Sequence, residues 1–185
     1  MGWFSPVKGS YPSLAQIDKT LPVKDGNDTI KRGSIITPVA DDVAGDYKSD
    51  EGVWKLATGT EKMLFVALQD YSDPTAGFAG TSFTPNPTAN HPARPAITGI
   101  DLAMDGEYET SVFDTTKTYA VGDTLYVANG VLTNVGSGTV VGYVTRPSTD
   151  RWVNNAIATP PGQTDQRLAT RTGAKMAVLR FKTAV

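Results

Sequence analysis

The clearest structural pattern in the sequence is YAVGDTLYVANGVLTNVGSGTVVGYVTRP, residues 119–147, which predicts a compact β-meander. Its strongest signal is Asn129-Gly130, because both residues tolerate the positive φ of a two-residue type I′ hairpin turn and alternating apolar residues flank them. Gly122-Asp123 predicts an earlier turn in the same stretch. Pro147 has no N–H to donate to a β-ladder, so we expect it to end the last strand.

A weaker copy of this layout is present at residues 29–70. The match is one of pattern rather than identity, and it favours two related half-barrels. The corresponding segments are Ile30-Lys-Arg-Gly33-Ser-Ile-Ile with Tyr119-Ala-Val-Gly122-Asp-Thr-Leu, Val53-Trp54-Lys-Leu56-Ala with Val131-Leu132-Thr, and residues 63–68 with residues 139–144.

The remaining apolar segments also have the two-residue period of strands. Residues 97–104 and 107–113 predict two strands joined at Asp105-Gly106, a second hairpin signal. Residues 174–183 predict a final strand that alternates between its two faces. Because no helix-period segment is long enough to carry a helical core, the predicted fold is mainly β, a small β-barrel or sandwich of short antiparallel strands.

Segments rich in proline set the predicted domain boundaries. Residues 1–28 predict an extended N-terminal arm, because prolines break its apolar pattern too often for a sheet interior. Residues 29–185 then form a single β domain with a long Pro-rich loop at 71–96 and a polar crossover at 148–172. Aromatic side chains on the arm and loop need a surface to cover them. We therefore predict partner contacts at Trp3, Phe4, Tyr11, Phe78 and Phe83.

Residues that commonly build active sites are scarce. The sequence has no cysteine and a single histidine, His91, which lies in the Pro-rich loop and leaves no basis for a catalytic triad or a multi-histidine metal site. Glu107 and Glu109 have the i, i+2 spacing of the wet face of a half-exposed sheet, so we expect both to be solvated. We predict no catalytic residue, no metal, no cofactor and no enzyme activity.

Charge is distributed unevenly along the chain. Residues 146–185 carry seven basic and two acidic residues, a net +5, which leaves −7 for residues 1–145 out of the total of −2. The basic tail has too few aromatic residues for a nucleic-acid interface and instead favours contact with an acidic neighbour. No run approaches the roughly 20 apolar residues of a membrane span, so no membrane partner is expected.

Three segments together resemble a known family: Gly122-Asp-Thr-Leu-Tyr-Val127, Asn129-Gly-Val-Leu-Thr133 and Val141-Gly-Tyr-Val144. They are similar to the phrase "G-D-x-L-Y-V … G-x-L-T … V-G-Y-V" of the head-decoration, or cement, proteins of tailed bacteriophages. The resemblance covers residues 117–146, with an echo at 29–70. It implies a virion protein made in the host cytoplasm that binds the major capsid protein on the outer capsid surface, often as a homotrimer, and stabilises the shell.

A second class of function stays open at this point. A phage fibre or adhesion module that binds surface carbohydrate would display aromatic and acidic side chains on one face. Trp54, Tyr108 and Glu109 are the candidates for such a face, although Trp54 also fits a core position.

Overall fold

The computed structural model describes residues 4–9, 18–23, 29–41, 52–70, 96–103, 105–152, 156–158, 170–172 and 175–184; at 5–9, 18, 151, 152, 156–158 and 170–172 it describes the backbone only. Within these ranges the chain forms strands and no helix. The strands are β1 (Phe4–Gly9), β2 (Asp18–Pro22), β3 (Ile35–Val39), β4 (Val53–Leu56), β5 (Phe65–Ala67), β6 (Ala96–Asp101), β7 (Gly106–Thr110), β8 (Thr124–Ala128), β9 (Val131–Thr133), β10 (Gly142–Trp152), β11 (Ala156–Ala158), β12 (Thr170–Thr172) and β13 (Lys175–Thr183).

Two antiparallel sheets pack together in a sandwich-like arrangement. The first sheet has five strands in the order β2-β6-β5-β3-β4, and the second has six in the order β1-β7-β13-β10-β8-β9. Among the strands that the structure describes, β11 and β12 pair only with each other. The prediction of a mainly β fold is confirmed, and of the two arrangements left open by the sequence the structure has the sandwich rather than the closed barrel.

The two sheets repeat one topology. In the first sheet β3 pairs with β4 and β5, and β6 joins β5 to β2; in the second β8 pairs with β9 and β10, and β13 joins β10 to β7. The registers correspond as well. Val66 of β5 pairs with Ile35 of β3 and Ile100 of β6, and in the same way Tyr143 of β10 pairs with Thr124 of β8 and Lys182 of β13. The fold thus repeats one topology in repeat 1 (residues 18–101) and repeat 2 (residues 106–183). The two predicted halves are the sheets of a sandwich and not half-barrels, and Val66 corresponds to Tyr143, one residue later than the predicted match of residues 63–68 with 139–144.

Both repeats enter their central strand through the same glycine turn. Gly33 has φ 92° and Gly122 has φ 91°, in the left-handed region that favours glycine. The Gly33 N–H donates to the Ala67 carbonyl at 2.8 Å, and the Gly122 N–H donates to the Val144 carbonyl at 2.8 Å. Each turn therefore fixes the central strand, β3 or β8, against the same neighbour, β5 or β10.

The main core lies between the two sheets. Repeat 1 contributes Ile35 and Val66, and repeat 2 contributes Leu125, Val144 and Phe181. Successive residues of a strand point to opposite faces, so the other face of the first sheet holds a second apolar cluster. Its buried members are Leu21, Val23, Ile30, Ile36, Trp54, Phe65, Ala67 and Ile97.

The sheets do not present equivalent faces to each other. Ile36 and Ala67 of the second cluster correspond by register to Leu125 and Val144, which lie in the main core. The face of the first sheet that packs against repeat 2 therefore corresponds to the face of the second sheet that points away from repeat 1. The same set of positions is buried in one repeat and faces outward in the other.

The Asn129-Gly130 turn ties the two repeats together. Asn129 has φ 48° and Gly130 has φ 76°, which confirms the predicted type I′ geometry. The Gly130 carbonyl accepts from the Ile35 N–H at 2.9 Å, and the Gly130 N–H donates to the Ala57 carbonyl at 2.7 Å. The tip of the β8–β9 hairpin is thus bonded to the backbone of repeat 1.

Gly130→Val is expected to destabilise the protein strongly. A β-branched residue at positive φ is strained by about 1–3 kcal/mol, and a Cβ at Gly130 would lie 2.5 Å from Leu56 Cδ2. Gly122→Val is the matched control, because Gly122 shares the positive φ but no atom of the described residues lies within 4 Å of the added Cβ. Urea denaturation should show the larger loss at Gly130; equal losses would contradict the docking of this turn on repeat 1.

A second contact between the repeats is organised by Glu61. Its carboxylate accepts from the backbone N–H groups of Thr58, Gly59 and Thr60 at 2.9–3.1 Å, and from the Thr58 hydroxyl at 2.8 Å. The Gly59 carbonyl of the loop held in this way accepts from the Thr139 N–H at 2.9 Å. Burial raises the pKa of Glu61, but the hydrogen bonds from Thr58 and Gly59 outweigh it and lower the pKa to about 2.

Glu61→Gln should therefore have a pH-dependent effect. A lowered pKa stabilises the fold fully above the ordinary value of 4.5, and the contribution is lost as the pH falls from there to about 2. We expect the variant to lose about 1 kcal/mol of unfolding free energy at pH 7. Denaturation across this window should show the difference from wild type shrinking towards low pH, and a constant difference would contradict the role of the ionised carboxylate.

Two sequence predictions about strand ends are wrong. Asp105-Gly106 is not a hairpin turn, because β6 belongs to the first sheet and β7 to the second; the dipeptide links the two repeats. Pro147 does not end its strand, since β10 continues to Trp152. The register of β10 against β13 shifts between Arg146 and Thr149, and a proline is tolerated at such an irregularity.

The predicted arm contributes a strand to each sheet. β1 pairs with β7 at the edge of the second sheet, and β2 pairs with β6 at the edge of the first. The two predicted excursions also occupy equivalent places, since both connect the strand after the hairpin to the last strand of a repeat. In repeat 2, residues 149–152 of β10 and 175–178 of β13 continue pairing as a two-stranded ribbon.

Candidate interaction surface

The outer face of the second sheet corresponds to the face of the first sheet that is buried between the repeats. One row of side chains on this face crosses β8, β10, β13 and β7 as Thr124, Tyr143, Lys182 and Glu107, and these residues are paired in register. Val135 follows the β9 strand at the position that continues this register. We call these five residues the outer row.

The corresponding row of repeat 1 is an intramolecular interface. Ala57, Ile35 and Val66 occupy the positions of Val135, Thr124 and Tyr143, and all three are fully buried in the main core. In repeat 2, by contrast, Val135 is 61% exposed and Tyr143 is 46% exposed. The same positions of one fold are covered in repeat 1 and open in repeat 2.

Two exposed valines, Val121 and Val135, lie in loops that are joined by hydrogen bonds. The Asp123 carboxylate accepts from the Ala120 N–H at 2.9 Å and from the Asn134 side-chain amide at 2.9 Å. These two hydrogen bonds, in that order, lower the pKa of Asp123 and keep it ionised. Val121 and Val135 project next to this junction and are 68% and 61% exposed. The apolar side chains are therefore presented by fixed loops.

Charged side chains form a second row beside the outer row. Glu109 of β7 is 4% exposed, and its Oε1 atom accepts from Arg180 Nε at 2.9 Å and from Arg180 Nη2 at 2.7 Å. Arg146 Nη2 of β10 donates to the same oxygen. We call Glu109, Arg146 and Arg180 the charged row. The expectation that Glu109 is solvated is wrong, because two guanidinium groups cover it.

The neighbouring charges are held more loosely. Glu107 accepts from the Thr145 hydroxyl at 2.6 Å, and Lys182 Nζ lies 3.2 Å from an Asp105 carboxylate oxygen. Lys182 and Asp105 are both exposed. An ion pair of this kind contributes little to stability because water screens it.

The predicted contact residues are distributed differently from the expectation. Phe4 is 1% exposed and stacks on Tyr108 with ring centroids 5.3 Å apart, so it packs inside its own chain and is not an exposed anchor. β1 pairing beside β7 turns this ring into the core. Trp3, Tyr11, Phe78, Phe83 and His91 lie outside the described residues.

The residues proposed for a carbohydrate-binding face are buried. Trp54 is 0% exposed, and its Nε1 donates to the Ile97 carbonyl at 2.9 Å. Tyr108 and Glu109 are 8% and 4% exposed, and they point to opposite faces of β7 because they are neighbours in a strand. These three side chains do not form one exposed platform.

A groove with a volume of about 200 Å³ is lined by residues of both repeats. Corresponding residues of the two repeats line it, among them Leu64 with Val141 and Leu102 with Ala184. No group of three or more His, Asp or Glu side chains arranged for a metal ion is present among the described residues. The lining is mostly apolar, with Lys62, Asp101 and Thr139 as its polar side chains.

Comparison with known proteins identifies no relative. No protein-family model matches the chain, and neither does any curated protein or solved structure. The described part of the chain contains no helix long and apolar enough to cross a membrane.

Proposed function

We propose that this chain is a structural virion protein that binds the outer surface of an assembled bacteriophage capsid and stabilises it. The partner is the major capsid protein, and the contact is made by the outer face of repeat 2. The protein is then located on the capsid surface and has no enzymatic role.

The observation that supports the proposal is the difference between the two repeats along the outer row. Repeat 1 buries Ile35 and Val66, whereas at the corresponding positions of repeat 2 Thr124 is half-buried and Tyr143 is exposed. An exposed aromatic residue in one row with an exposed valine, Val135, is typical of an interface centre, since aromatic side chains carry much of the binding energy. A partner bound to this face would bury the outer row of repeat 2, just as repeat 2 buries the corresponding row of repeat 1.

The resemblance to head-decoration proteins supports the same surface. Its residues form β8, β9 and the start of β10, and Tyr143 of the matching phrase Val-Gly-Tyr-Val is the exposed aromatic of the outer row. The resemblance also favours a homotrimer. Light scattering of the pure protein should then give three times the 19.6 kDa mass of the chain, and a monomer at all concentrations would contradict this part of the proposal.

Cosedimentation with capsids that lack the protein tests the proposal. We expect the wild-type chain to bind and to raise the temperature at which the particles open. The double variant Val135→Ser, Tyr143→Ser should bind at least about tenfold more weakly, because truncated interface aromatics cost about 2 kcal/mol or more. Its melting temperature should stay close to that of wild type.

Met63→Ser is the matched control, since Met63 is 56% exposed but does not belong to the outer row. It should bind capsids as wild type does. A wild-type chain that binds no capsid but is retained on a glycan column would replace the proposal with the adhesion function.

A further inference from the structure

Gly130 of repeat 2 binds repeat 1 at a gap in the pairing of two strands. The gap lies between Ile35, the first residue of β3, and Ala57, which follows β4; the Ala57 N–H donates to the Ile35 carbonyl at 3.0 Å. The Gly130 carbonyl accepts from the Ile35 N–H at 2.9 Å, and the Gly130 N–H donates to the Ala57 carbonyl at 2.7 Å. The three residues thus form a closed ring of backbone hydrogen bonds. We call Ile35 and Ala57 the repeat 1 slot.

Repeat 2 has the corresponding gap between Thr124 and Val135. By register these two residues occupy the positions of Ile35 and Ala57. The Asp123 carbonyl accepts from the Val144 N–H at 2.9 Å. Because the hydrogen-bonding direction alternates along an antiparallel strand, the N–H and carbonyl of Thr124 point away from β10 and towards the end of β9. We call Thr124 and Val135 the repeat 2 slot.

The repeat 2 slot lacks the ring that closes the repeat 1 slot. In the described part of the chain, no backbone hydrogen bond joins Thr124 to Val135. The Val135 N–H donates instead to the Thr133 hydroxyl at 3.2 Å, and the Val135 carbonyl has only a long contact of 3.4 Å with the same hydroxyl. Val135 is 61% exposed, whereas Ala57 is fully buried. Repeat 2 therefore has the gap but, within the described residues, no group that fills it.

We propose that the repeat 2 slot binds a glycine-containing turn of the protein that docks on the outer face. The carbonyl of the turn glycine accepts from the Thr124 N–H, and its N–H donates to the Val135 carbonyl, as Gly130 does in repeat 1. Thr124 and Val135 both belong to the outer row, so the turn would be bound beside Tyr143. This inference rests on the proposed function for the identity of the partner.

The preference for glycine follows from the close approach seen in repeat 1. Gly130 has φ 76°, and a Cβ on it would lie 2.5 Å from Leu56 Cδ2 and 3.3 Å from the Ile35 carbonyl oxygen. A residue whose N–H and carbonyl both bind the backbone of neighbouring strands has little room for a side chain, and such close approach is a typical use of glycine.

Amide hydrogen exchange measured by NMR tests the slot on the isolated protein. We expect the Thr124 amide to exchange at least about tenfold faster than the Ile35 amide, because only Ile35 donates to a turn. A hairpin peptide of residues 126–133, closed by a disulfide between added terminal cysteines, carries the Asn129-Gly130 turn and should slow Thr124 exchange saturably. The same peptide with Gly130→Val should not. Thr124 exchange as slow as that of Ile35 in the free protein, or equal effects of the two peptides, would overturn the slot.

Proline substitutions distinguish the two slots. Proline is tolerated at the first residue of a strand, where its missing N–H need not enter the ladder. Thr124→Pro should therefore melt close to wild type. Ile35→Pro is the matched variant in repeat 1 and should melt well below it, because the donor to Gly130 is lost. Equal losses of stability would overturn the difference between the slots.

Capsid cosedimentation separates this inference from the proposed function. Thr124→Pro should bind capsids about tenfold more weakly than wild type, because a carbonyl of the partner is left without a donor in the interface. Unchanged capsid binding by folded Thr124→Pro would overturn the slot alone. Wild-type protein that binds no capsid would overturn the proposed function, and the hairpin peptide would then decide whether the slot binds a glycine turn.

Discussion

Gly142→Ala is expected to lower the free energy of unfolding by about 3 kcal/mol or more, because the added atom has no room. A Cβ on Gly142 would lie 2.1 Å from the Lys182 carbonyl oxygen and 3.2 Å from Phe181 Cδ2. The carbonyl belongs to the paired strand β13 and cannot rotate away, so β10 and β13 would have to separate. These two strands carry the outer row and the charged row, and we expect the folded population to fall sharply.

The repeats solve this crowding in opposite ways. Repeat 1 has Phe65 of β5 at the position of Gly142. Its glycine, Gly99, lies instead on the neighbouring strand β6, and a Cβ on Gly99 would lie 3.1 Å from Phe65 Cβ. One aromatic ring and one glycine thus meet across each strand pair. Gly136→Ala is the control, since its nearest contact is 3.5 Å away, and it should change stability by less than about 0.5 kcal/mol. If Gly142→Ala melted with wild type, the approach of β10 to β13 described here would be wrong.

Glu109→Ala should lower the free energy of unfolding by about 2–3 kcal/mol. Removing one partner of a largely buried ion pair leaves the other charge uncompensated, and two guanidinium groups depend on this carboxylate. Glu107→Ala is the matched control on the same strand. Glu107 is less buried and holds one hydroxyl, so its loss should cost about 1 kcal/mol or less.

Repeat 1 provides a rescue for the Glu109 variant. The triple substitution Glu109→Thr, Arg180→Thr, Arg146→Gln places the residues of repeat 1 at these positions and removes all three charges. Chemical denaturation should show the triple variant to be more stable than Glu109→Ala, because no uncompensated guanidinium remains. A triple variant less stable than the single one would show that the sheet itself requires the charged row.

Local signals in the sequence were sufficient for the Asn129-Gly130 turn and for the repeated layout. Asn129-Gly130 predicted its own turn because the positive φ values are a property of those two residues. The duplication was visible because Gly33 and Gly122 are needed at the same turn in both halves. Asp105-Gly106 misled because a dipeptide carries no information about which sheet its flanking strands join.

The candidate surface could not be predicted in the same way. Glu107 and Glu109 look alike in the sequence, yet Glu109 is covered because Arg146 and Arg180 arrive from strands distant in the chain. Phe4 looked like an exposed anchor because its partner Tyr108 is more than a hundred residues away. One signal was available: aligning the two halves on Gly33 and Gly122 shows Ile35 replaced by Thr124, an apolar position becoming polar.

Hydroxyl-radical footprinting of the protein, free and bound to capsids, tests the outer face most directly. We expect Tyr143 and Val135 to be oxidised readily in the free protein and protected on capsids. Val66 and Ala57, their buried counterparts in repeat 1, should react slowly in both states. Oxidation of Tyr143 at the same rate in both states, with protection found at Met63 instead, would contradict binding through the outer face of repeat 2.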